Sequence, residues 1–117
     1  MSCPPRGIMA KLIKTAQQSW QAVRPELTTG VSGKVLLDLP VKMVLTKLEP
    51  GGVFRPHRDS YGHLFHILSG TGLARVDDHE YPLTAGVVLQ VDAGELHGYE
   101  NCGVGELLLI SVNLPMG

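Results

Sequence analysis

The sequence predicts an all-β domain that is built as a sandwich or a barrel. Short runs of apolar and β-branched residues follow one another along most of the 117 residues, and Gly, Pro or Asp separates most of these runs. Many short strands with frequent turns are typical of β-sandwiches and β-barrels. A chain of this length buries about two thirds of its unfolded surface, which is enough for one core, so we expect one domain.

The N-terminal part has the least regular pattern. Residues 1–9 contain two prolines and a glycine, which predicts a flexible tail in front of a single domain over residues 10–117. Residues 10–23 mix helical and extended patterns, so they are assigned to a short N-terminal arm without a defined secondary structure. A turn or a short helix is expected at residues 17–20.

The predicted strands begin after this arm. The first two cover residues 34–38 and 41–48, and a turn is predicted at residues 49–52 because proline and glycine interrupt the pattern there. The segment that contains His57 forms the next strand. The remaining strands are predicted at residues 63–68, 73–77, 80–83, 87–91, 96–100 and 107–113.

Charge and hydropathy argue against several classes of partner. Ten basic and 11 acidic residues give a net charge of −1. The chain therefore lacks the excess positive charge that binds nucleic acid or an anionic membrane. No apolar run approaches the roughly 18 residues of a membrane-spanning helix, and residues 7–13 are too short for a signal peptide. We therefore expect a cytoplasmic protein. Cys3 and Cys102 are isolated from each other, so no disulfide framework is expected.

Four side chains in two separate segments have the chemistry of a metal site. His57 and Asp59 are two residues apart, so both project to one face if the segment is extended. Turn-forming residues at 60–62 let the chain reverse, so that His63 begins the next strand, and His97 lies in the second segment. Imidazoles with one carboxylate are compatible with Fe(II), Mn(II), Ni(II), Co(II) or Zn(II).

These two segments resemble the paired motifs of the cupin superfamily. Residues 51–70 keep the spacing of the first motif, which is Gly, five residues, His-x-His, three residues, Glu, six residues, Gly. Asp59 stands at its second His position and His63 at its Glu position. Residues 86–101 keep the second motif, which is Gly, five residues, Pro-x-Gly, two residues, His, three residues, Asn, and only Asp92 departs from it.

The resemblance implies a double-stranded β-helix, or jelly-roll barrel, with a metal inside. The usual cupin ligands are three His and one carboxylate, and here a carboxylate and an imidazole have exchanged positions, so the number and charge of the ligands are kept. Asp59 is either the fourth ligand or a residue that orients an imidazole by a hydrogen bond. The second alternative arises because Asp is shorter than the His it replaces and so reaches less far toward the metal. His66 and His79 match no motif position and are expected to be structural.

The resemblance also implies two classes of function. One is metal-dependent dioxygenase, isomerase or lyase activity on a small molecule. The alternative is a module that binds a metal or a small molecule without turnover, as a sensor or an accessory protein. The fold alone does not separate these classes, because one fold carries many activities.

Three further residues are candidates for contact with a substrate. Tyr99 lies two residues from His97 and should share its inward face, and Tyr61 lies in the turn between ligand positions, where it should rim the pocket. Arg55 shares a face with His57 if the strand is regular, which makes it a candidate for binding an anion. The alternatives are tyrosines that only line the barrel and a solvated arginine. The other interior residues predict a small, mainly apolar cavity.

Two predicted strands are apolar on both faces, at residues 65–68 and 107–110. An antiparallel sheet with one face in water should alternate apolar and polar residues, so the outer face of these strands needs a cover. Small cupins commonly dimerise through such a face, and we therefore predict a homodimer. The alternative is a monomer in which Trp20 and Val23 of the arm pack across the face.

Overall fold

A computed structural model describes residues 10–115, and nearly all of their regular structure is β. One 3₁₀ turn, Thr15–Gln17, precedes nine strands in this part of the chain. The strands are β1 (Gln21–Ala22), β2 (Thr28–Asp38), β3 (Lys42–His57), β4 (His63–Ser69), β5 (Thr71–Val76), β6 (His79–Thr84), β7 (Val88–Val91), β8 (His97–Asn101) and β9 (Leu107–Asn113). The predicted tail at residues 1–9, with Cys3, lies outside the described residues. Between residues 10 and 115, no helix has the length and apolarity needed to span a bilayer.

Strand β3 pairs with different strands along its two halves within one nine-stranded sheet of the described residues. Residues 42–48 of β3 pair with β9, whereas residues 53–57 pair with β8. The strand order is β6-β5-β8-β3-β9-β4-β7, and β2 pairs with both halves of β3. The sheet therefore curls at β3 and encloses an interior, which confirms the jelly-roll fold expected from the resemblance.

The turn predicted at residues 49–52 is wrong, because these residues form a bend inside β3. Gly51 has a φ of 79°, and a Cβ on Gly52 would lie 2.8 Å from the carbonyl oxygen of Glu49. Opposite this bend, β2 changes register at Gly30, where φ is 67°. A strand that bends between two sets of partners needs the same permissive residues as a turn, so the sequence pattern does not distinguish the two.

The core lies inside the curled sheet and follows the alternation of the strands. In β9, Leu107 and Leu109 are fully buried, while Leu108 between them is only half-buried. The side chains that point inward therefore form one cluster, which is the hydrophobic core of the domain. Its members are Val31, Leu48, Phe54, Phe65, Ile67, Ala74, Val76, Leu83, Val91, Tyr99, Leu107 and Leu109.

The N-terminal arm packs against lysines of β2 and β3, so what covers the outer face of β4 and β9 stays a prediction. The ring of Trp20 lies 4.6 Å from Lys34 Nζ and 4.4 Å from Lys47 Nζ, which is the distance of a cation–π contact. Lys34 Nζ also donates a hydrogen bond to the carbonyl oxygen of Thr15. Val23 packs against the core instead.

Four glycines of the two motifs have the left-handed backbone conformation. Their φ angles are 79° at Gly51, 92° at Gly70, 90° at Gly86 and 87° at Gly94. Residues with a Cβ rarely adopt this conformation. The backbone at these turns and bends therefore explains why glycine stands at each of the four positions.

Gly70→Ala is expected to lower the free energy of unfolding by about 2 kcal/mol. At this position the positive φ is combined with a lack of space, because a Cβ would collide with the carbonyl oxygen of Glu106 and lie 2.8 Å from Leu107 Cα. Gly105→Ala is the matched control, since nothing lies within 4 Å of its added Cβ. Urea unfolding of both variants measures the difference, and equal stabilities would contradict this account of Gly70.

Candidate metal centre

Three strands bring three histidines together inside the barrel. His57 ends β3, His63 begins β4 and His97 begins β8. His57 and His97 are direct partners across the β3–β8 pair, and their ring centroids are 4.4 Å apart. The rings of His63 and His97 are 4.7 Å apart. The fold thus places the two sequence motifs at one point.

The carboxylate of Asp59 lies among these imidazoles. Its Oδ2 atom is 3.0 Å from His57 Nε2, 2.8 Å from His63 Nε2 and 3.7 Å from His97 Nε2. Ligand atoms about 2.1 Å from one ion, at right angles, are about 3 Å apart, so these distances suit a shared ion. The donor atoms of His57, Asp59 and His97 all lie within 4.8 Å of one another. His63 falls outside this set, but its Nε2 lies 2.8 Å from Asp59 Oδ2.

Backbone carbonyls fix the orientation of two of the rings. His57 Nδ1 is 2.8 Å from the carbonyl oxygen of Arg55, and His97 Nδ1 is 2.9 Å from that of Glu95. A carbonyl only accepts hydrogen bonds, so each Nδ1 carries the proton and, in a neutral ring, Nε2 presents a lone pair. The lone pair of His57 then faces the Asp59 carboxylate at 3.0 Å, and two acceptors repel each other. A metal ion bound between them, or a second proton on the ring, removes this repulsion, so the residues fit a metal ion.

The electrostatic environment favours the protonation states that bind metals. Burial lowers the pKa of both His63 and His97, and the opposing effects of Asp59 on His63 and of the Glu95 backbone on His97 are smaller. For Asp59, burial raises the pKa, but the hydrogen bonds from Arg24 and His63 and the charges of His57 and Arg24 together outweigh it and leave the pKa lowered. His63 and His97 are therefore neutral and Asp59 is ionised at neutral pH.

His63 also has an unpartnered nitrogen. Its Nδ1 atom is buried and makes no hydrogen bond of ordinary geometry with the described residues, although the Asn113 side chain lies near enough to raise the pKa of the ring slightly. A buried polar atom without a partner is costly, and such groups are rare in folded proteins. The position of His63 is therefore set by the site and by packing rather than by a hydrogen bond to the backbone.

A cavity of about 280 Å³ opens onto the histidine cluster. Both tyrosines expected at the pocket, Tyr61 and Tyr99, line it. Burial raises the pKa of each hydroxyl, and the nearby Asp59 raises that of Tyr61 further. Both hydroxyls therefore stay protonated at neutral pH and are able to donate a hydrogen bond. The other lining residues are Gln21, Ala22, Val23, Arg24, Gly33, Val35, Lys42, Val44, Thr46, Phe54, His57, His63, Phe65, His97, Ser111 and Asn113.

Arg55 lies outside this cavity, which differs from the expectation for a regular strand. Its guanidinium donates hydrogen bonds to Thr29 Oγ1 and to the carbonyl oxygen of Glu26 on the exposed side of β2 and β3. The pairing of β3 with β8 shifts register between Phe54 and His57. This irregularity breaks the alternation, so Arg55 and His57 do not share a face.

Sequence analysis missed several polar residues of the site. Arg24 reaches the cluster from the loop between β1 and β2, and its Nη1 donates a hydrogen bond of 3.0 Å to Asp59 Oδ1. Its segment has no regular pattern, so no signal pointed to it. Lys42 and Asn113 also line the cavity, and here a signal was present. Lys42 is in phase with the inward-facing Thr46, and Asn113 is in phase with the buried Leu109.

Comparison with known proteins identifies the same fold. The cupin domain family profile matches residues 44–113. The structure of KdgF from Halomonas sp. is similar with 20% identity and a TM-score of 0.80, covering 90% of this chain and 94% of that chain. A predicted oxalate decarboxylase from Thermotoga maritima has 23% identity and a TM-score of 0.82, with 90% and 99% covered. The polyketide cyclase RemF from Streptomyces resistomycificus has 19% identity and a TM-score of 0.81, with 90% and 79% covered. A search of curated protein sequences finds no match.

Proposed function

Because the chain belongs to the cupin domain family, we propose that it binds one divalent transition metal through His57, Asp59, His63 and His97 and acts through it on a small molecule. One observation carries this proposal. The hydrogen bond from His57 Nδ1 to the Arg55 carbonyl turns the lone pair of Nε2 toward the Asp59 carboxylate, 3.0 Å away. Such an arrangement is stable when a cation lies between the two atoms or the ring carries a second proton.

Asp59 is proposed as a ligand rather than as a residue that only orients an imidazole. An orienting carboxylate hydrogen bonds to the ring nitrogen that does not bind the metal. In His57 and His97 that nitrogen is Nδ1, and backbone carbonyls already occupy it. Asp59 Oδ2 instead faces the Nε2 atoms, while Arg24 holds the other carboxylate oxygen. Its shorter side chain still reaches, because Arg24 and the turn after β3 direct it inward.

The proposed ligand set is compatible with Fe(II), Mn(II), Ni(II), Co(II) and Zn(II). When bound, such an ion supplies Lewis acidity toward a chelating substrate or a centre for oxygen activation. The protein supplies the rest of the site. The apolar walls formed by Val44, Phe54 and Phe65 exclude water, and the hydroxyls of Tyr61 and Tyr99 are available to donate hydrogen bonds to a bound molecule.

We propose that the reaction is of the dioxygenase, isomerase or lyase type. Two similar structures bear the names of enzymes, a predicted oxalate decarboxylase and a polyketide cyclase, which supports turnover here. The cavity of about 280 Å³ is near the lower end of ligand pockets, which are about 300 Å³ or more, so the substrate is a small molecule.

A binding module without turnover is the second candidate, and Tyr99 favours it. Its buried hydroxyl has a pKa raised far above the ordinary value of tyrosine, so it gives up a proton poorly. An enzyme that needs a proton donor in the cavity would be served badly by this group. The protein in this case would hold the metal or the small molecule as a sensor or an accessory protein.

Reconstituted protein decides between the two candidates. Oxygen consumption and a panel of small substrates are measured on metal-loaded wild type and on the His57→Ala/His97→Ala variant. Turnover by the wild type that the variant lacks is expected if the protein is an enzyme. Metal binding without turnover on any substrate would support the binding module instead.

The homodimer is likewise our proposal. Leu68 and Val88 on the outer sides of β4 and β7 are 39% and 53% exposed, and Ile110 on neighbouring β9 is only half-buried. Apolar residues at such positions favour association through the sheet face. Sedimentation equilibrium is expected to give twice the mass of one chain, whereas a single-chain mass would support the monomer.

A further inference from the structure

Lys42 occupies an inward position on the same wall of the cavity as His63. It pairs across the sheet with Asn113 of β9, and Asn113 pairs in turn with His63 of β4. The three residues therefore form one row across neighbouring strands. Strands are about 4.8 Å apart, so Lys42 and His63 are separated by about 10 Å at the backbone. Lys42, Asn113 and His63 all line the cavity, which shows that the row faces inward.

The ammonium group of Lys42 has no counterion among residues 10–115. Lys47, which lies on the same strand but faces outward, pairs with Glu49 at 3.6 Å and Glu106 at 3.7 Å. Arg24, the other cation that lines the cavity, pairs with Asp59 at 3.0 Å. Within this part of the chain, no carboxylate oxygen lies within 4.0 Å of Lys42. Asp38 is the cross-strand partner of Lys42 on β2, but the two side chains form no ion pair, so Lys42 lines the cavity without a carboxylate in contact.

A lysine in this place has no evident structural role. Other inward residues of β3 in the same phase are Thr46 and Leu48, which are buried and contribute to packing. An ammonium group on the inner face adds nothing to such packing, because its charged end needs water or an anion. Beside it, Ser111 and Asn113 line the wall and offer further hydrogen-bond donors.

We propose that Lys42 forms an anion subsite, so that the ligand of this protein is a small molecule with metal-chelating oxygens at one end and a carboxylate at the other. This inference rests on the proposed metal function, which places the chelating end at the histidine cluster. The cation two strands away from His63 then selects a second negative charge, and Asn113 and Ser111 donate to it. Because the cavity is small, the molecule has few atoms between its two ends.

Calorimetric titrations test the subsite with matched probes. The probes are 2-hydroxy diacids of four, five and six carbons and the 2-hydroxy monoacids of the same lengths, which share the chelating end but lack the distal carboxylate. For at least one length, the wild type is expected to bind the diacid about tenfold or more tighter than the monoacid, because a charge-assisted contact has that effect. Lys42→Gln is expected to remove this preference, because it should weaken diacid binding about tenfold more than monoacid binding.

Lys14→Gln is the matched control, since Lys14 is exposed and does not line the cavity. It should keep the full preference for the diacid. If no diacid of any length shows a preference that depends on Lys42, the subsite is refuted.

Metal content is measured on every sample, and the titrations are repeated on metal-free protein. Metal binding without a preference that depends on Lys42 contradicts the subsite alone. A preference that depends on Lys42 in a protein that binds no metal contradicts the proposed function alone. The failures of the two proposals are therefore distinguishable.

Discussion

Replacing His57 and His97 together with alanine is expected to abolish metal binding, from about one ion per chain to below about a tenth of an ion. The two residues are cross-strand partners, and their Nε2 atoms belong to the set of donors that lies within 4.8 Å. Their loss leaves Asp59 and His63, and two ligands hold a transition metal poorly. Elemental analysis after reconstitution measures the change.

The control for this variant is the pair His66→Ala and His79→Ala. Both imidazoles are exposed on the outside of the barrel, so their removal changes the histidine count equally without touching the cluster. The control should keep about one ion per chain. Equal loss of metal from both double variants, or retention by both, would contradict the assigned ligands. Circular dichroism shows whether each variant keeps its strands.

Asp59→Asn is expected to weaken metal binding by more than about a hundredfold, because residues that only orient a ligand typically contribute about ten- to a hundredfold. The substitution keeps the size of the side chain and one oxygen but removes the only negative charge among the four proposed ligands. It also removes the charge that Arg24 contacts at 3.0 Å. Competition with a chelator of known affinity measures the metal dissociation constant.

Glu26→Gln separates this effect from a general loss of negative charge. Glu26 also approaches Arg24, at 3.8 Å, but its side chain is 66% exposed and lies outside the ligand set. Its substitution should change the metal dissociation constant less than about threefold, as expected for an exposed ion pair. A fall of less than tenfold for Asp59→Asn would mean that Asp59 is not a ligand.

The sequence pattern predicted the three clustered histidines because each motif fixes their positions locally. His57, His63 and His97 stand at fixed distances from glycines whose positive φ angles shape the neighbouring turns. Strand β9 was predicted with its observed bounds at residues 107–113, because the segment is mostly apolar and β-branched and Pro115 follows it closely. Local pattern and tertiary structure agree in these segments, so periodicity was sufficient.

The remaining features depend on contacts that no local pattern reports. The bend of β3 at Gly51 and Gly52 was predicted as a turn, because only the pairing of its two halves with different strands shows that the strand continues. Arg55 points outward because of a register shift against β8. Arg24 enters the site from an arm whose position is set by pairing with β2. Each of these depends on a partner distant in the sequence.

X-ray anomalous scattering from crystals of the reconstituted protein tests the central claim most directly. The energy of the X-ray absorption edge identifies the element, and the anomalous difference map gives its position. We predict one ion, bound at about 2.1 Å by the Nε2 atoms of His57, His63 and His97 and by Asp59 Oδ2. No anomalous peak at this cluster after reconstitution with Fe(II), Mn(II), Ni(II), Co(II) and Zn(II) in turn would contradict the account.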